Sequence, residues 1–155
     1  MRVLLVGGGC RGLTLTRALA AEGHAVRVVT RTEEGRAAID EAGGECWIGD
    51  PDVIGTLRYA LANVTVLLWA LGTVDEEPLH GSRLEMMLER TVDTMVRGVI
   101  YERGPGVPIV ERMCQRNEVP YAFLDADAAD GEAWAAEAQR LIESLLTAQR
   151  PSVFY

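Results

Sequence analysis

Apolar positions along this chain fall into two alternating patterns. Short, nearly continuous apolar runs at 2–6, 25–30, 45–48, 64–69, 96–101 and 119–124 predict strands. The segments between them carry apolar residues three and four apart, the spacing of amphipathic helices. The first helix is predicted over 11–22, with Leu13, Leu15 and Leu19 inward. A second covers 33–42, with Glu33 and Glu34 in the first turn, where the helix dipole favours them, and Gly43-Gly44 as its stop.

Asp50-Pro51 reads as an N-cap with proline at the first helical position, leading a helix through Val53, Ile54, Leu57 and Leu61. The run at 64–69 suits a central strand covered on both faces. Residues 71–81 are expected to be a loop. Ser82 and Glu85 have capping-box spacing before a stripe of Leu84, Leu88, Val92 and Met95. Pro108 opens a helix containing Ile109, Val110, Met113 and Cys114, and Trp134, Ala138, Leu141, Ile142, Leu145 and Leu146 mark the last one. Six strands alternating with helices predict a three-layer, doubly wound parallel α/β sheet in the order 3-2-1-4-5-6.

The glycine string Gly7-Gly8-Gly9-Cys10-Arg11-Gly12 directly follows the first strand. Gly7, Gly9 and Gly12 have the GxGxxG spacing of a dinucleotide fingerprint, and the strand–turn–helix frame is what gives that spacing weight. Gly7 is assigned the tight turn, Gly9 the approach of a pyrophosphate, and Gly12 close helix–strand packing. Cys10 reads as a spacer within the turn; the alternative is a thiol whose oxidation modulates cofactor binding. The alternative is a tightly packed helix over an empty ancestral site. The string lacks the Lys-Ser/Thr ending of a phosphate-binding P-loop, so a mononucleotide kinase is not indicated.

At the end of the second strand stands Val29-Thr30-Arg31, where an NAD-specific site usually has Asp or Glu. Arg31, assisted by Arg11, suits a 2′-phosphate, so NADP is favoured over NAD. The alternative reading makes both arginines solvated charges indifferent to the cofactor. Asp50 is a cap, or a cap that also approaches the adenine.

Length and composition narrow the classes. The 155 residues are expected to form one domain over 1–150, with a tail at 151–155 packed on its own domain or on a second subunit. A homodimer is expected because a minimal nucleotide domain has little material to close its own cleft. The net charge of −8 and the lack of any basic cluster argue against a nucleic-acid partner. All 15 basic residues are Arg, which excludes a Schiff-base lysine and any Tyr-Lys catalytic pair. Cys10, Cys46 and Cys114 have no ligand or disulfide spacing, and no His-x-x-x-His pair supports a metal. No apolar stretch reaches membrane-spanning length, and residues 3–6 are too short for a signal-peptide core; the expectation is a cytoplasmic protein without a membrane partner.

Together the glycine turn, Arg31, Gly49-Asp50, Leu57 with Ala60 and Leu61, and the strand ending at Ala70-Leu71-Gly72 resemble the atypical short-chain dehydrogenase/reductase superfamily. The likeness is to its NAD(P)-binding members related to nucleoside-diphosphate-sugar epimerases. It implies that Asp50 touches the adenine and that Trp69 to Gly72, including Ala70 and Leu71, pass beside the ribose and nicotinamide. The superfamily's Tyr-x-x-x-Lys pair is absent, and Glu102-Arg103-Gly104 stands where its catalytic Ser or Thr is expected. The C-terminal substrate region of the extended members is expected to be absent as well. His80 is the best acid/base candidate, oriented by Glu76 or Glu77, and Glu102 is the second. The competing reading makes His80 part of a solvated acidic loop and Glu102 a strand-end charge. Three functions follow: a cofactor-binding protein with weak reductase or sensing activity, a small oxidoreductase completed by a partner subunit, or an interaction module that has lost its nucleotide.

Overall fold

The computed structural model describes residues 1–148. The expected packing of the aromatic tail at 151–155 lies outside them. Strand β1 (Arg2–Gly7) is followed by α1 (Gly9–Ala21), β2 (Ala25–Thr30), α2 (Arg36–Glu41), β3 (Glu45–Ile48) and β4 (Val66–Ala70). The chain continues through α3 (Glu77–His80), α4 (Ser82–Thr91), β5 (Gly98–Glu102), α5 (Val107–Arg116), β6 (Tyr121–Leu124) and α6 (Gly131–Ala148). All six strands are parallel, in the order β3-β2-β1-β4-β5-β6. This is the predicted doubly wound, three-layer sheet.

Strand alternation divides the core into two. Val3 and Leu5 of β1, with Val66, Leu68 and Ala70 of β4, face α1 and α6. Leu4, Val6, Leu67 and Trp69 face the opposite layer, built from α4, α5 and the segment after β3. Continuous apolar runs arise because both faces of β1 and β4 are covered.

Six local expectations are corrected. Residues Ile54–Leu61 form a 3-10 helix rather than an α-helix. Its buried Ile54, Leu57 and Ala60 are three apart, so the tighter helix alone puts them on one face. Val53 precedes it and is exposed. Asp50 is accordingly not an α-helix cap: its Oδ1 accepts the Asp52 N–H at 2.9 Å and its carbonyl accepts Val53 N–H at 2.9 Å. This is a local Asx turn, which a short carboxylate closes readily.

Helix α4 begins after Gly81 without a side-chain cap, so the expected Ser82–Glu85 box does not form. Its buried residues are Leu84, Met87, Leu88 and Thr91, while Val92 and Met95 are exposed because the helix has ended. The expected loop at 71–81 contains the single turn α3, and β5 starts at Gly98 and ends at Glu102, one residue beyond the expected Tyr101. Among the described residues no helix is long and apolar enough to cross a membrane.

Candidate functional site

Three consecutive glycines carry the chain from β1 into α1 with left-handed backbone: φ is +88° at Gly7, +93° at Gly8 and +51° at Gly9. Such angles are accessible to glycine without steric penalty. A Cβ on Gly7 would lie 2.4 Å from the Ala70 carbonyl oxygen, and the Gly8 N–H donates to that same oxygen at 2.9 Å. A Cβ on Gly12 would stand 3.0 Å from Leu5 Cδ2, so α1 lies tight on β1. At Gly9 a Cβ would meet nothing within 4 Å. The outer side of the turn is therefore open exactly where the first-turn N–H groups of α1 lack helical acceptors.

An apolar groove of about 340 Å³ adjoins this open side, with Gly9, Cys10, Leu13, Val28, Thr30 and Ile39 in its lining. Cys10 is exposed there. Thr30 bonds the Thr32 carbonyl through Oγ1 at 3.3 Å, and Gly35 lies so close to it that a Cβ would meet Oγ1 at 2.3 Å. Arg31 follows β2 and Asp50 follows β3; their charged groups stand 3.6 Å apart, with side chains 56% and 37% exposed. Chain reversal after these adjacent strands places the pair on the same sheet edge as the glycine turn.

Arg11 does not reach toward Arg31. Its Nε donates to Glu102 Oε2 at 3.2 Å and its Nη2 to Oε1 at 2.7 Å. The same guanidinium donates to the Gly8 carbonyl at 2.9 Å and to the Ala70 carbonyl at 3.4 Å, and lies 5.1 Å over the Trp134 ring. Glu102 also accepts the Gly72 N–H at 2.6 Å on Oε1 and the Trp134 indole N–H at 2.8 Å on Oε2. Each carboxylate oxygen thus has two donors, the full capacity of an ionised carboxylate. Glu102 is a buried structural hub with no lone pair left to take a proton from a substrate.

His80 is equally committed. Its Nε2 stands 2.7 Å from the Val74 carbonyl, which can only accept, so Nε2 carries hydrogen. Nδ1 stands 2.6 Å from Tyr101 Oη, and that hydroxyl accepts the Gly106 N–H at 2.8 Å. In the neutral imidazole the Tyr101 O–H therefore donates to Nδ1. Burial pushes the Tyr101 hydroxyl pKa above its usual value; the Gly106 N–H opposes the shift and the charge of Glu102 adds to it. The ring belongs to neither Glu76 nor Glu77 but ties the loop after β4 to the loop after β5.

Adjacent residues of β5 point to opposite faces, and this separates the two expected catalytic groups. Tyr101 joins His80 on the α4–α5 side, while Glu102 joins Arg11 and Trp134 on the α1–α6 side. The structure brings together Gly7, Ala70, Gly72, Arg11 and Glu102 as one cluster, and Arg31 with Asp50 as another. Leu71 is buried against Gly7. Trp134 was legible only as an apolar position, and Tyr101 as a core aromatic or a donor of its hydroxyl; the signal on each was its polar atom, which needs a partner once buried. Among the described residues no group of three His, Cys, Asp or Glu side chains is arranged to hold a metal.

A parallel sheet in this order, with a glycine turn between β1 and α1 beside the switch from β1 to β4, defines the Rossmann class. No protein-family model and no curated protein matches the chain. Solved structures do share its fold. The triphenylmethane reductase of Citrobacter sp. complexed with NADP(H) is 21% identical with a TM-score of 0.62, over 80% of this chain and 48% of that one. Vestitone reductase from alfalfa is 12% identical with a TM-score of 0.64, over 79% of this chain and 55% of that one. Yeast methylglyoxal/isovaleraldehyde reductase complexed with NADPH is 11% identical with a TM-score of 0.65, over 80% and 53%. The chain spans about half the length of these structures.

Proposed function

We propose that the chain is an NAD(P)(H)-binding protein of the atypical dehydrogenase/reductase type that senses or carries its cofactor. The observation that carries this reading is the open left-handed turn at Gly9, with free helix N–H groups and an apolar groove beside it. Backbone donors at a helix N-terminus suit a pyrophosphate, and the groove and its rim suit an adenosine. Arg31 stands ready for a 2′-phosphate, with Asp50 as its present counter-charge. Fold neighbours complexed with NADP(H) and NADPH add support by analogy.

A bound nicotinamide dinucleotide supplies a hydride donor or acceptor. This chain would contribute the free N–H groups at the start of α1, Arg31 and an apolar groove, but no Lys for the proton relay of the superfamily. His80 and Glu102 are saturated by their own partners, so neither is assigned an acid/base step. The alternative is a small oxidoreductase completed by a second subunit. It draws on a cavity of about 370 Å³ beside Gly72, Val74, Pro105 and Ile109, at the edge where a substrate would meet the cofactor.

A homodimer belongs to the same proposal. Tyr59 is 70% exposed next to the exposed Met86, and Arg58, Arg90, Glu89 and Asp93 surround them outside any ion pair among the described residues. Two charges of each sign around an apolar centre make a self-complementary patch for a two-fold contact. Sedimentation of the wild type and of Tyr59→Asp tests it, the variant being expected to run as a monomer.

Calorimetric titration with NADPH, NADH and their oxidised forms tests the main reading. Micromolar binding of at least one is expected. Lack of heat with all four, on folded protein, would overturn it.

A further inference from the structure

We propose that the glycine turn recognises only the adenosine diphosphate half of its ligand, and that the second nucleoside of a dinucleotide adds nothing to binding. This rests on the nucleotide-binding reading above and specifies which part of the nucleotide is read.

The two halves of the strand-end edge differ in kind. Toward β2 and β3 the edge offers the unobstructed face of Gly9, the groove lined by Leu13, Val28 and Ile39, and the exposed Arg31–Asp50 pair. Toward β4 and β5 the turn is flanked by the Arg11–Glu102 pair, whose side chains are 12% and 6% exposed, and the cavities beyond Gly72 lie on the far side of its polar contacts from Gly9.

The pair also consumes the polar groups that a second nucleoside would need. A ribose hydroxyl or a carboxamide over β4 would call on the Gly72 N–H, the Ala70 carbonyl and the Gly8 carbonyl. Glu102 takes the first, and Arg11 takes the other two, at 2.6, 3.4 and 2.9 Å. The Ala70 oxygen already accepts the Gly8 N–H, and the Gly8 oxygen the Gly12 N–H. Leu71 packs on the turn itself, with Cδ2 2.6 Å from the position of a Gly7 Cβ.

Moving Glu102 aside would not open the site cheaply. It would strip the buried Arg11 guanidinium of its counter-charge and leave the Trp134 indole N–H without its acceptor. A second nucleoside that bonds to these groups must disrupt the cluster, and one that leaves the cluster intact gains no bond from them.

The test compares truncated and complete nucleotides on the wild-type chain by calorimetry. ADP is paired with NADH, and 2′-phospho-ADP with NADPH. Within each pair that binds, dissociation constants are expected to agree within about threefold, a difference below 1 kcal/mol. A dinucleotide that binds tenfold or more tightly than its truncated counterpart would overturn the inference and leave the nucleotide-binding reading standing. Absence of binding by all four would overturn both.

Saturation-transfer NMR on bound NADPH gives an independent reading. The adenine protons are expected to receive magnetisation from the protein and the nicotinamide protons to receive little. Equal transfer to both rings would contradict the proposal.

Discussion

Arg11 and Glu102, 91 residues apart, form a two-pronged ion pair that bridges the start of α1 to the end of β5. It sits at the point where the sheet order reverses, and it welds the glycine turn to the loop after β4 through Gly8, Ala70 and Gly72. Removing one member of such a buried pair strands the other charge, at about 3–5 kcal/mol. Glu102→Ala is therefore expected to lower the urea midpoint sharply, and the double variant Arg11→Met with Glu102→Ala to recover part of that loss. A single variant within about 1 kcal/mol of wild type would show that water reaches the pair.

Tyr101 offers a separate test of the second network. Tyr101→Phe leaves the Gly106 N–H and His80 Nδ1 without a partner, a loss of about 1–3 kcal/mol measurable by denaturant unfolding. Nucleotide affinity is expected to stay unchanged, as is that of His80→Ala, because this network lies on the far face of β5. A folded variant with weakened binding would return His80 to the ligand site.

Alkaline stability follows from groups whose protonated form the fold favours. Burial pushes the Cys114 thiol from 9.0 up to about 12, and burial likewise raises the Tyr101 hydroxyl above 10.0. Above pH 9 for the thiol and above pH 10 for the hydroxyl, the unfolded chain loses these protons while the native state keeps them. Their stabilisation is complete below the unfolded values and is lost as pH rises toward the folded ones, each group contributing a slope of about 1.4 kcal/mol per pH unit. Urea midpoints across that window should fall, and Cys114→Ala should make the fall shallower. An unchanged slope in the variant would assign the loss to other groups.

Gly7 and Gly9 separate fold from binding. At Gly7 an alanine meets both a left-handed backbone and the Ala70 oxygen at 2.4 Å, and a loss of about 3 kcal/mol is expected. At Gly9 it meets the left-handed backbone alone, so Gly9→Ala is expected to lose about 1–2 kcal/mol and to fold. Its methyl would project into the open side, and calorimetry should find nucleotide binding weakened tenfold or more. Undiminished binding would place the phosphates elsewhere.

On the proposed reading, Arg31 is the residue that tells the two cofactors apart. Arg31→Ala removes a charge-assisted contact to a 2′-phosphate and should weaken NADPH by about tenfold, or 1.4 kcal/mol, with NADH unaffected. Asp50→Asn frees Arg31 from its 3.6 Å partner and should tighten NADPH modestly. Parallel losses for both cofactors in Arg31→Ala would make the arginine a general electrostatic contributor instead.

Residue pattern alone was enough to determine the strand order, the glycine turn and most of the core. These follow from local spacing: two-sided apolar runs, helical repeats and glycines where the backbone must turn left-handed. Asp50 and Ser82 read locally as caps, yet a 3-10 helix and Gly81 won, because burial of Ile54, Leu57 and Ala60 and the turn at 81 outweighed the capping preferences. The fate of the candidate chemical groups was decided by tertiary structure. Strand alternation split His80 from Glu102, and folding delivered Arg11, Gly72 and Trp134 to one carboxylate from three distant segments. Spacing reveals that a polar atom exists; only the packed chain determines whether its hydrogen bonds are left for a ligand or already used within the fold.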